Sequence, residues 1–203
     1  MRRNSLSALH KRRRTALLAL FTLSSAGALA CDDPFALEAT LETVRDTLTV
    51  FAMSGTTPAY PSALDARTGF IVRIEPDIAF DVAFDLNPDG SVRVIPARLI
   101  SQTKIEFGQQ IATQSVALQV PTGTFDAITI APTSGYKVDS LVTVDPGEPV
   151  VLRVESSSCF LSPVLFAKFV VDSVNVGTRQ IFFRTVRNPN CGFRSFQPGV
   201  PRD

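Results

Sequence analysis

Apolar residues alternate with polar ones along most of the chain after residue 45, and this two-residue period limits the fold more than any other feature. The alternating runs cover residues 48–52, 70–74, 78–84, 92–96, 116–120, 125–129, 136–144, 150–154, 164–170 and 181–185. Phenylalanine and β-branched residues dominate these runs, as is typical of β-strands. Because neighbouring side chains of a strand point to opposite faces, the period predicts sheets with one buried and one solvated face.

Turn-forming residues separate the alternating runs. All 14 prolines lie after residue 30, and Asn87-Pro88-Asp89-Gly90 stands between two runs, as a hairpin turn does. Residues 54–66 form the longest polar loop, and no change in composition divides the chain into two folded domains. We therefore expect one all-β domain, residues 46–203, folded as an antiparallel β-sandwich (Ig-like or jelly-roll-like) with seven to ten strands and one disulfide.

The first 30 residues have the composition of a signal peptide. Six basic residues come first, an apolar stretch covers residues 16–23, and small residues continue to Ala30. At about 1.5 Å per residue, residues 15–30 span about 24 Å as a helix, less than the ~30 Å apolar core of a bilayer. We predict a cleaved signal rather than a membrane-spanning anchor. Residues 31–45 then form an acidic tether, whose pattern fits either a strand or a helical face.

The three cysteines, Cys31, Cys159 and Cys191, suggest how the exported protein is held. Residues 28–31 (ALAC) resemble a bacterial lipobox, in which the cysteine becomes lipidated, although ALA alone also fits ordinary signal-peptidase cleavage. An odd number of thiols is a liability in an oxidising compartment. If Cys31 carries the lipid, Cys159 and Cys191 remain as one disulfide pair, which would stabilise the domain by roughly 3.5–4 kcal/mol. A soluble, secreted form with no lipid is the alternative.

The composition of the exported part excludes several classes of function. His10, the single histidine, lies in the leader, so histidine triads, histidine general bases and histidine metal sites are excluded. Removing the six basic leader residues from the total of 20 leaves 14 basic against 19 acidic residues. With that acidic balance and no basic cluster, nucleic-acid binding is not expected. We also expect no cofactor.

One segment resembles a calcium-binding loop. Asp85, Asn87, Asp89 and Gly90 match its first half, because oxygen ligands alternate before a glycine that permits a sharp turn. The twelfth position is Pro96, where a bidentate glutamate belongs, and the flanking residues have strand patterns rather than helical ones. We therefore expect no metal site and interpret these residues as a hairpin turn, with calcium binding as the weaker alternative.

Few other residues are candidates for catalysis. Asp77, Asp81 and Asp85 recur every fourth residue, and we expect them to solvate the outer face of a strand. A carboxylate pair for glycoside cleavage is the weaker alternative. Two Ser-x-x-Lys matches, at residues 101–104 and 134–137, fall in strand or turn context, where a serine–lysine pair on a helix cannot form. We predict that the protein is not an enzyme.

Two basic residues stand out near the predicted disulfide. Lys168 interrupts an apolar run, and Arg194 follows the second cysteine closely. We expect one of them to pair with Asp172 or Glu155. The alternative is that both charges lie on edge strands and face water, which is a common way to protect a sheet edge.

Three segments resemble a family of uncharacterised bacterial lipoproteins. They are residues 46–51 (DTLTVF), residues 60–65 (YPSALD), and a closing portion with Cys159, residues 166–168 (FAK), Asp172 and residues 188–194 (NPNCGFR). The resemblance spans most of the exported part. It implies an exported, β-rich domain with a C-terminal cysteine pair, and it supplies no activity and no catalytic residues.

Together these features predict a lipid-anchored protein of the bacterial cell envelope, held in the membrane at Cys31 and acting as a non-enzymatic interaction or structural module. The expected partners are the membrane and an envelope protein or glycan. The alternative function is a β-sandwich that binds a small ligand or carbohydrate, with calcium assistance from the Asp85 loop. A carboxylate-based hydrolase is the weakest of the three hypotheses.

Overall fold

A computed structural model of the chain describes residues 38–75, 78–104, 115–156, 158–160 and 162–201. The leader and Cys31 lie outside the described residues. The strands are β1 (Val44–Phe51), β2 (Ala63–Asp65), β3 (Phe70–Val72), β4 (Val82–Leu86), β5 (Val92–Pro96), β6 (Val116–Gln119), β7 (Lys137–Val138), β8 (Val142–Val144), β9 (Pro149–Glu155), β10 (Val164–Asn175) and β11 (Gln180–Asn188), and the helix is α1 (Ala97–Lys104).

The strands form two sheets in which all neighbours are antiparallel. One sheet has the order β1-β11-β10-β9-β6-β7, and the other has the order β3-β2-β4-β5-β8. The predicted antiparallel β-sandwich is confirmed. The described residues contain 11 strands, one more than the expected upper limit. The predicted run 136–144 contributes two of them, because β7 joins one sheet and β8 joins the other.

The main core lies between the two sheets. Phe84 of β4 contacts Phe169 of β10 and Phe183 of β11, with ring centroids 5.5 and 5.1 Å apart. These aromatic residues belong to a buried cluster that includes valines and leucines from both sheets. Alternation places them correctly, since every second residue of each strand points to this layer.

The outer faces of both sheets are also partly covered. On the six-stranded sheet a second cluster packs beneath the loop that follows β6 and the C-terminal segment: Phe125, Ala131, Val151, Phe166, Val170, Val186 and Phe196. On the five-stranded sheet a third cluster packs beneath α1 and the residues before β4: Ala63, Phe80, Ala83, Ile95, Ala97 and Ile100. The expectation of one solvated face per sheet is therefore wrong in these areas, because connecting segments fold over the sheets.

The local structure departs from the sequence prediction in four places. Residues 97–104 form α1, so the first Ser-x-x-Lys match lies on a helix rather than in a strand or turn. β2 lies inside the segment predicted to be the longest loop. Residues 78–80 and 125–129 are not strands, although both alternate. Their apolar residues instead contribute to the two outer clusters, and burial there also selects apolar residues.

The disulfide between Cys159 and Cys191 is present, with the two Cα atoms 5.6 Å apart, as predicted. It joins the segment between β9 and β10 to the segment after β11. β1 begins at Val44, two residues before the predicted start of the domain. Within the described ranges, no helix combines the length and the hydropathy that are needed to cross a membrane.

Candidate functional site

The outer face of the six-stranded sheet carries a cleft of about 170 Å³ between β1, β11 and the loop that holds Phe125. Cross-strand pairing positions its polar side chains, since Arg45 is the register partner of Val186 and Thr47 is the partner of Arg184. Its lining consists of Arg45, Asp46, Thr47, Phe125, Arg184, Thr185 and Val186. Two guanidinium groups, a threonine hydroxyl and an aromatic ring thus surround a space that can hold a small polar ligand.

The two arginines of this cleft differ in their interactions. Arg184 forms an ion pair with Asp172, with an Nη2–Oδ1 distance of 2.9 Å, and its guanidinium lies 5.3 Å from the centre of the Phe125 ring. Arg45 makes a long hydrogen bond, 3.5 Å from Nη2 to the carbonyl oxygen of Phe196. Arg45 therefore has more donor capacity for a ligand, because a guanidinium carries five N–H groups.

Lys168 lies directly beneath Phe125 and is only 1% exposed. It is the register partner of Val186 on one side and of Val151 on the other, so its side chain rises from the middle of the sheet. Its ammonium donates hydrogen bonds to the carbonyl oxygens of Phe125 (2.5 Å) and Ile128 (2.8 Å), and it lies 4.2 Å from the centre of the Phe125 ring. Lys168 thus fastens the covering loop to the sheet.

Burial lowers the pKa of Lys168 to about 8, because the charged ammonium is poorly solvated. The positive charge of Arg45 lowers this pKa further, and the negative charge of Asp126 acts in the opposite direction. A lowered pKa makes an amine a better nucleophile, but the loop encloses this one. Its geometry fits a positioning role, in which it holds one wall of the cleft.

The structure places neither Lys168 nor Arg194 against Asp172 or in an edge strand. Lys168 is neither at an edge nor paired with Asp172, because β10 lies in the interior of the sheet and Asp172 pairs with Arg184. Arg194 donates hydrogen bonds through both Nε and Nη2 to the carbonyl oxygen of Ala131. Both side chains therefore stabilise the same covering loop, which alternation alone could not reveal.

Asp85 is buried and organises a loop rather than solvating a surface. Its carboxylate accepts hydrogen bonds from the backbone N–H (3.1 Å) and hydroxyl (2.8 Å) of Ser54, and from Arg179 (3.1 Å). Burial alone would raise the pKa of Asp85, but the hydrogen bonds from Ser54 and Leu86 and the charge of Arg179 together lower it. The carboxylate therefore remains ionised and links the segment after β1 to the turn between β10 and β11.

The side chains of the calcium candidates are engaged in hydrogen bonds within the protein. Asn87 and Asp89 lie in the turn between β4 and β5, and both use their side chains to bond Ser91. Asp85 instead uses its oxygens on Ser54 and Arg179. Within the described ranges, no three histidine, cysteine, aspartate or glutamate side chains lie together as a metal site requires.

Asp81 lies in a second cluster of ionisable side chains, together with Asp65 and Arg67. Its Oδ2 accepts a 2.8 Å hydrogen bond from the N–H of Ala66. Burial raises the pKa of Asp81 to about 7; the charge of Arg67 opposes this, and that of Asp65 reinforces it. Arg67 Nε lies 3.1 Å from Asp65 and 3.8 Å from Asp81.

The expectation that Asp77, Asp81 and Asp85 solvate an outer face is therefore wrong for the two that the structure describes, while Asp77 lies outside the described residues. A sequence signal for burial did exist, since Asp81 and Asp85 interrupt a nearly continuous apolar run at residues 78–86.

Comparisons with protein-family models, with curated proteins and with solved structures find no match to this chain.

Proposed function

We propose that the protein is an exported domain of the bacterial cell envelope, anchored by a lipid on Cys31, and that it acts as a non-enzymatic interaction module. One observation carries the anchoring half of this proposal. The disulfide takes up Cys159 and Cys191, which leaves Cys31 as the one thiol of the chain outside it. That thiol directly follows the leader, at the position where a lipobox places its modified cysteine.

The disulfide also supports export, because such bonds persist in oxidising compartments and are rare in the cytoplasm. The resemblance to bacterial lipoproteins points the same way. Buried ionisable groups support the non-enzymatic half, because Asp81, Asp85 and Lys168 each bond loops of the domain itself. Their chemistry is used to stabilise the fold.

Metabolic labelling with a palmitate analogue tests the anchor. Wild-type protein should be labelled and should fractionate with membranes, whereas Cys31→Ser should lose the label and become soluble after export. We expect this difference in membrane binding because the acyl chains on Cys31 bind wild-type protein to the bilayer, and Cys31→Ser lacks them. Equal labelling of the two proteins would overturn the proposal, and titratable thiols at Cys159 and Cys191 in native protein would overturn its export.

The cleft favours binding of a small ligand as a second candidate function. Arg45 and Arg184 provide planar hydrogen-bond donors beside the edge of the buried Phe125 ring, and such donors suit a carbohydrate bearing a carboxylate. Calcium is not part of this hypothesis, because the hairpin candidates belong to the other sheet.

Calorimetric titration with galacturonate tests this second candidate. Wild-type protein should bind, and Arg45→Gln should bind at least about ten-fold more weakly, since a charge-assisted hydrogen bond contributes about 1.5–3 kcal/mol. Arg153→Gln is the matched control, because Arg153 is an exposed arginine on the same sheet and does not line the cleft. Equal binding by both variants would reject the cleft as the site.

A further inference from the structure

The polypeptide enters the folded domain beside the disulfide. The N–H groups of Thr40 and Leu41 donate to Oδ1 of Asn190, at 2.9 and 3.0 Å, and Nδ2 of Asn190 donates to the carbonyl oxygen of Leu41 at 2.7 Å. Asn190 immediately precedes Cys191 in the disulfide. We call this end of the domain, where residues 40–43 join the sandwich, the entry end.

The entry end presents a phenylalanine that is almost completely exposed. Phe160 is 97% exposed and follows Cys159, which is buried and bonded to Cys191. The base of its loop is closed by a 2.9 Å hydrogen bond from the N–H of Ser156 to the carbonyl oxygen of Pro163. The disulfide thus holds Cys159, the residue before Phe160, against the segment after β11.

Other apolar side chains are exposed at the same end. Leu41 is 53% exposed, and Val200 is 43% exposed. Val200 is placed here because the N–H of Thr43 donates to the carbonyl oxygen of Gly199 at 3.1 Å. Single exposed apolar residues are common on soluble proteins, but three at the point where the chain arrives from its N-terminus need a common explanation.

The length of chain between the lipid candidate and this end sets the distance to the membrane. Leu41 is ten residues after Cys31, and a fully extended chain spans at most about 3.3–3.6 Å per residue. A lipid on Cys31 would therefore keep the entry end within roughly 35 Å of the bilayer surface. The entry end is thus the part of the domain that a lipid on Cys31 holds nearest to the bilayer along the chain, and a lipid surface is within its reach.

We propose that the entry end docks on the lipid bilayer, with Phe160 inserted at the boundary between headgroups and acyl chains. This inference rests on the proposed lipid anchor and adds a second, non-covalent contact to it. Aromatic and aliphatic side chains at such a surface become buried among acyl chains. Their apolar surface, which the fold leaves exposed, is thereby removed from water, and this stabilises the docked state. The result is a domain with a fixed orientation on the membrane instead of one that moves freely on its tether.

The absence of tryptophan from the chain allows a direct test. Phe160→Trp places a single fluorescent reporter at the exposed tip, where a larger ring disturbs no packing. Val176→Trp is the matched control, because Val176 is also exposed and follows the other end of β10. That strand has 12 residues, so its ends lie about 36 Å apart.

The lipidated full-length variants are reconstituted into phosphatidylethanolamine–phosphatidylglycerol vesicles, with and without bromine on the acyl chains. We expect a blue shift and loss of emission with brominated lipid for Phe160→Trp, and neither change for Val176→Trp.

If the protein floats with the vesicles but Phe160→Trp is not quenched, the docking inference is overturned and the anchor stands. If reporter quenching is equal at both ends, the fixed orientation is overturned. Failure to float at all would overturn the anchor itself. Protection of the Phe160→Trp reporter from acrylamide only in native envelopes, without quenching by lipid, would assign this end to a protein partner and also overturn the inference.

Discussion

Three buried ionisable side chains, Asp81, Asp85 and Lys168, hold connecting segments against the sandwich. Each stands in a strand or beside one, in a run that is otherwise apolar, and each bonds backbone groups of a loop. Burying a charge is costly unless hydrogen bonds compensate for the lost water. At these positions the loops provide hydrogen bonds, so each side chain and the loop that it bonds stabilise one another.

Replacing Asp85 should destabilise the domain strongly. Asp85→Ala removes the acceptor that Ser54, Leu86 and the half-buried Arg179 share, and we expect a loss of about 1.5–3 kcal/mol in the free energy of unfolding. Urea denaturation measures it. Asp89→Ala is the matched control in the same hairpin, because Asp89 is exposed and bonds only Ser91. Similar losses for the two variants would contradict the role assigned to Asp85.

The same hairpin provides a test for calcium. Asp85, Asn87 and Asp89 are engaged in hydrogen bonds within the domain, so added Ca²⁺ should not change the melting temperature. Differential scanning fluorimetry with Ca²⁺, and with Mg²⁺ as the control, measures this. A rise that is specific to Ca²⁺ would restore the calcium-loop hypothesis.

Asp81 should make stability depend on pH between about 4 and 7. Its pKa is raised from 3.8 to about 7, so the folded state keeps a proton that the unfolded state loses across this range. Stability therefore falls as pH rises through the window and is constant, for this group, above and below it. Asp81→Asn imitates the protonated carboxyl group and should remove this fall.

Urea denaturation of wild type and Asp81→Asn at several pH values isolates that contribution from the other carboxylates. We expect the variant to be more stable than wild type above pH 7 and close to it near pH 4. Asp145→Asn, at an exposed turn residue, is the control and should leave the difference between the two pH values unchanged. A variant that is less stable than wild type at both pH values would show that Asp81 is ionised in the folded protein.

Lys168→Met should loosen the loop that covers the outer face. The carbonyl oxygens of Phe125 and Ile128 lose their donor, and we expect a loss of about 2–4 kcal/mol in the free energy of unfolding. Hydrogen exchange should also become faster at the N–H of Phe196, which donates to the loop at the carbonyl oxygen of Thr129. Lys137→Met, at an exposed lysine, should change neither measurement.

Among the connecting elements, the hairpin between β4 and β5 depends on one glycine. Gly90 has a φ of +89°, a conformation that residues with a Cβ atom rarely adopt, and the nearest atom to an added Cβ is 3.8 Å away. Gly90→Ala should therefore cost about 1–2 kcal/mol through backbone strain alone. Gly177, in the turn between β10 and β11, does not have a positive φ of this kind. Gly177→Ala should therefore leave the melting temperature unchanged. Equal melting temperatures would contradict this difference.

For the molecule as a whole, the disulfide joins the two ends of the β10–β11 hairpin region near the point where the chain enters. Reduction of the disulfide, or the double variant Cys159→Ala with Cys191→Ala, should lower the free energy of unfolding by about 2–5 kcal/mol and lower the melting temperature. The reason is that the unfolded chain gains conformational entropy. Calorimetry with and without reductant measures it. If wild type and the double variant melt together under oxidising conditions, the bond does not form in native protein.

The period of two was sufficient to predict the sandwich and most of its strands. Strand patterns at β1, β5, β6, β9, β10 and β11 are long or clear enough that burial of one face sets their alternation. The same pattern failed at residues 125–129, because a covering turn also places alternate apolar residues inward. It missed β2 and α1, which are short and depend on the sheet that they pack against.

The candidate site was much less accessible to sequence reasoning than the fold. Arg45 and Arg184 lie 139 positions apart, and only the pairing of β1 with β11 brings them to one cleft beneath Phe125. Lys168 could be singled out as a charge in an apolar run, but its partners are backbone carbonyl groups. Since every residue has a carbonyl group, no side-chain pattern could have identified them.

The sequence alone determined the alternating strands, the pairing of Cys159 with Cys191, and the position of the single histidine within the first 30 residues, because these follow from residue type and spacing. Tertiary structure alone decided that Asp81 and Asp85 are buried, that Lys168 supports a loop, and that Phe160 is exposed where the chain enters. The reason is that solvation and hydrogen bonding of a polar group depend on which distant segments fold over it, and local spacing does not contain that information.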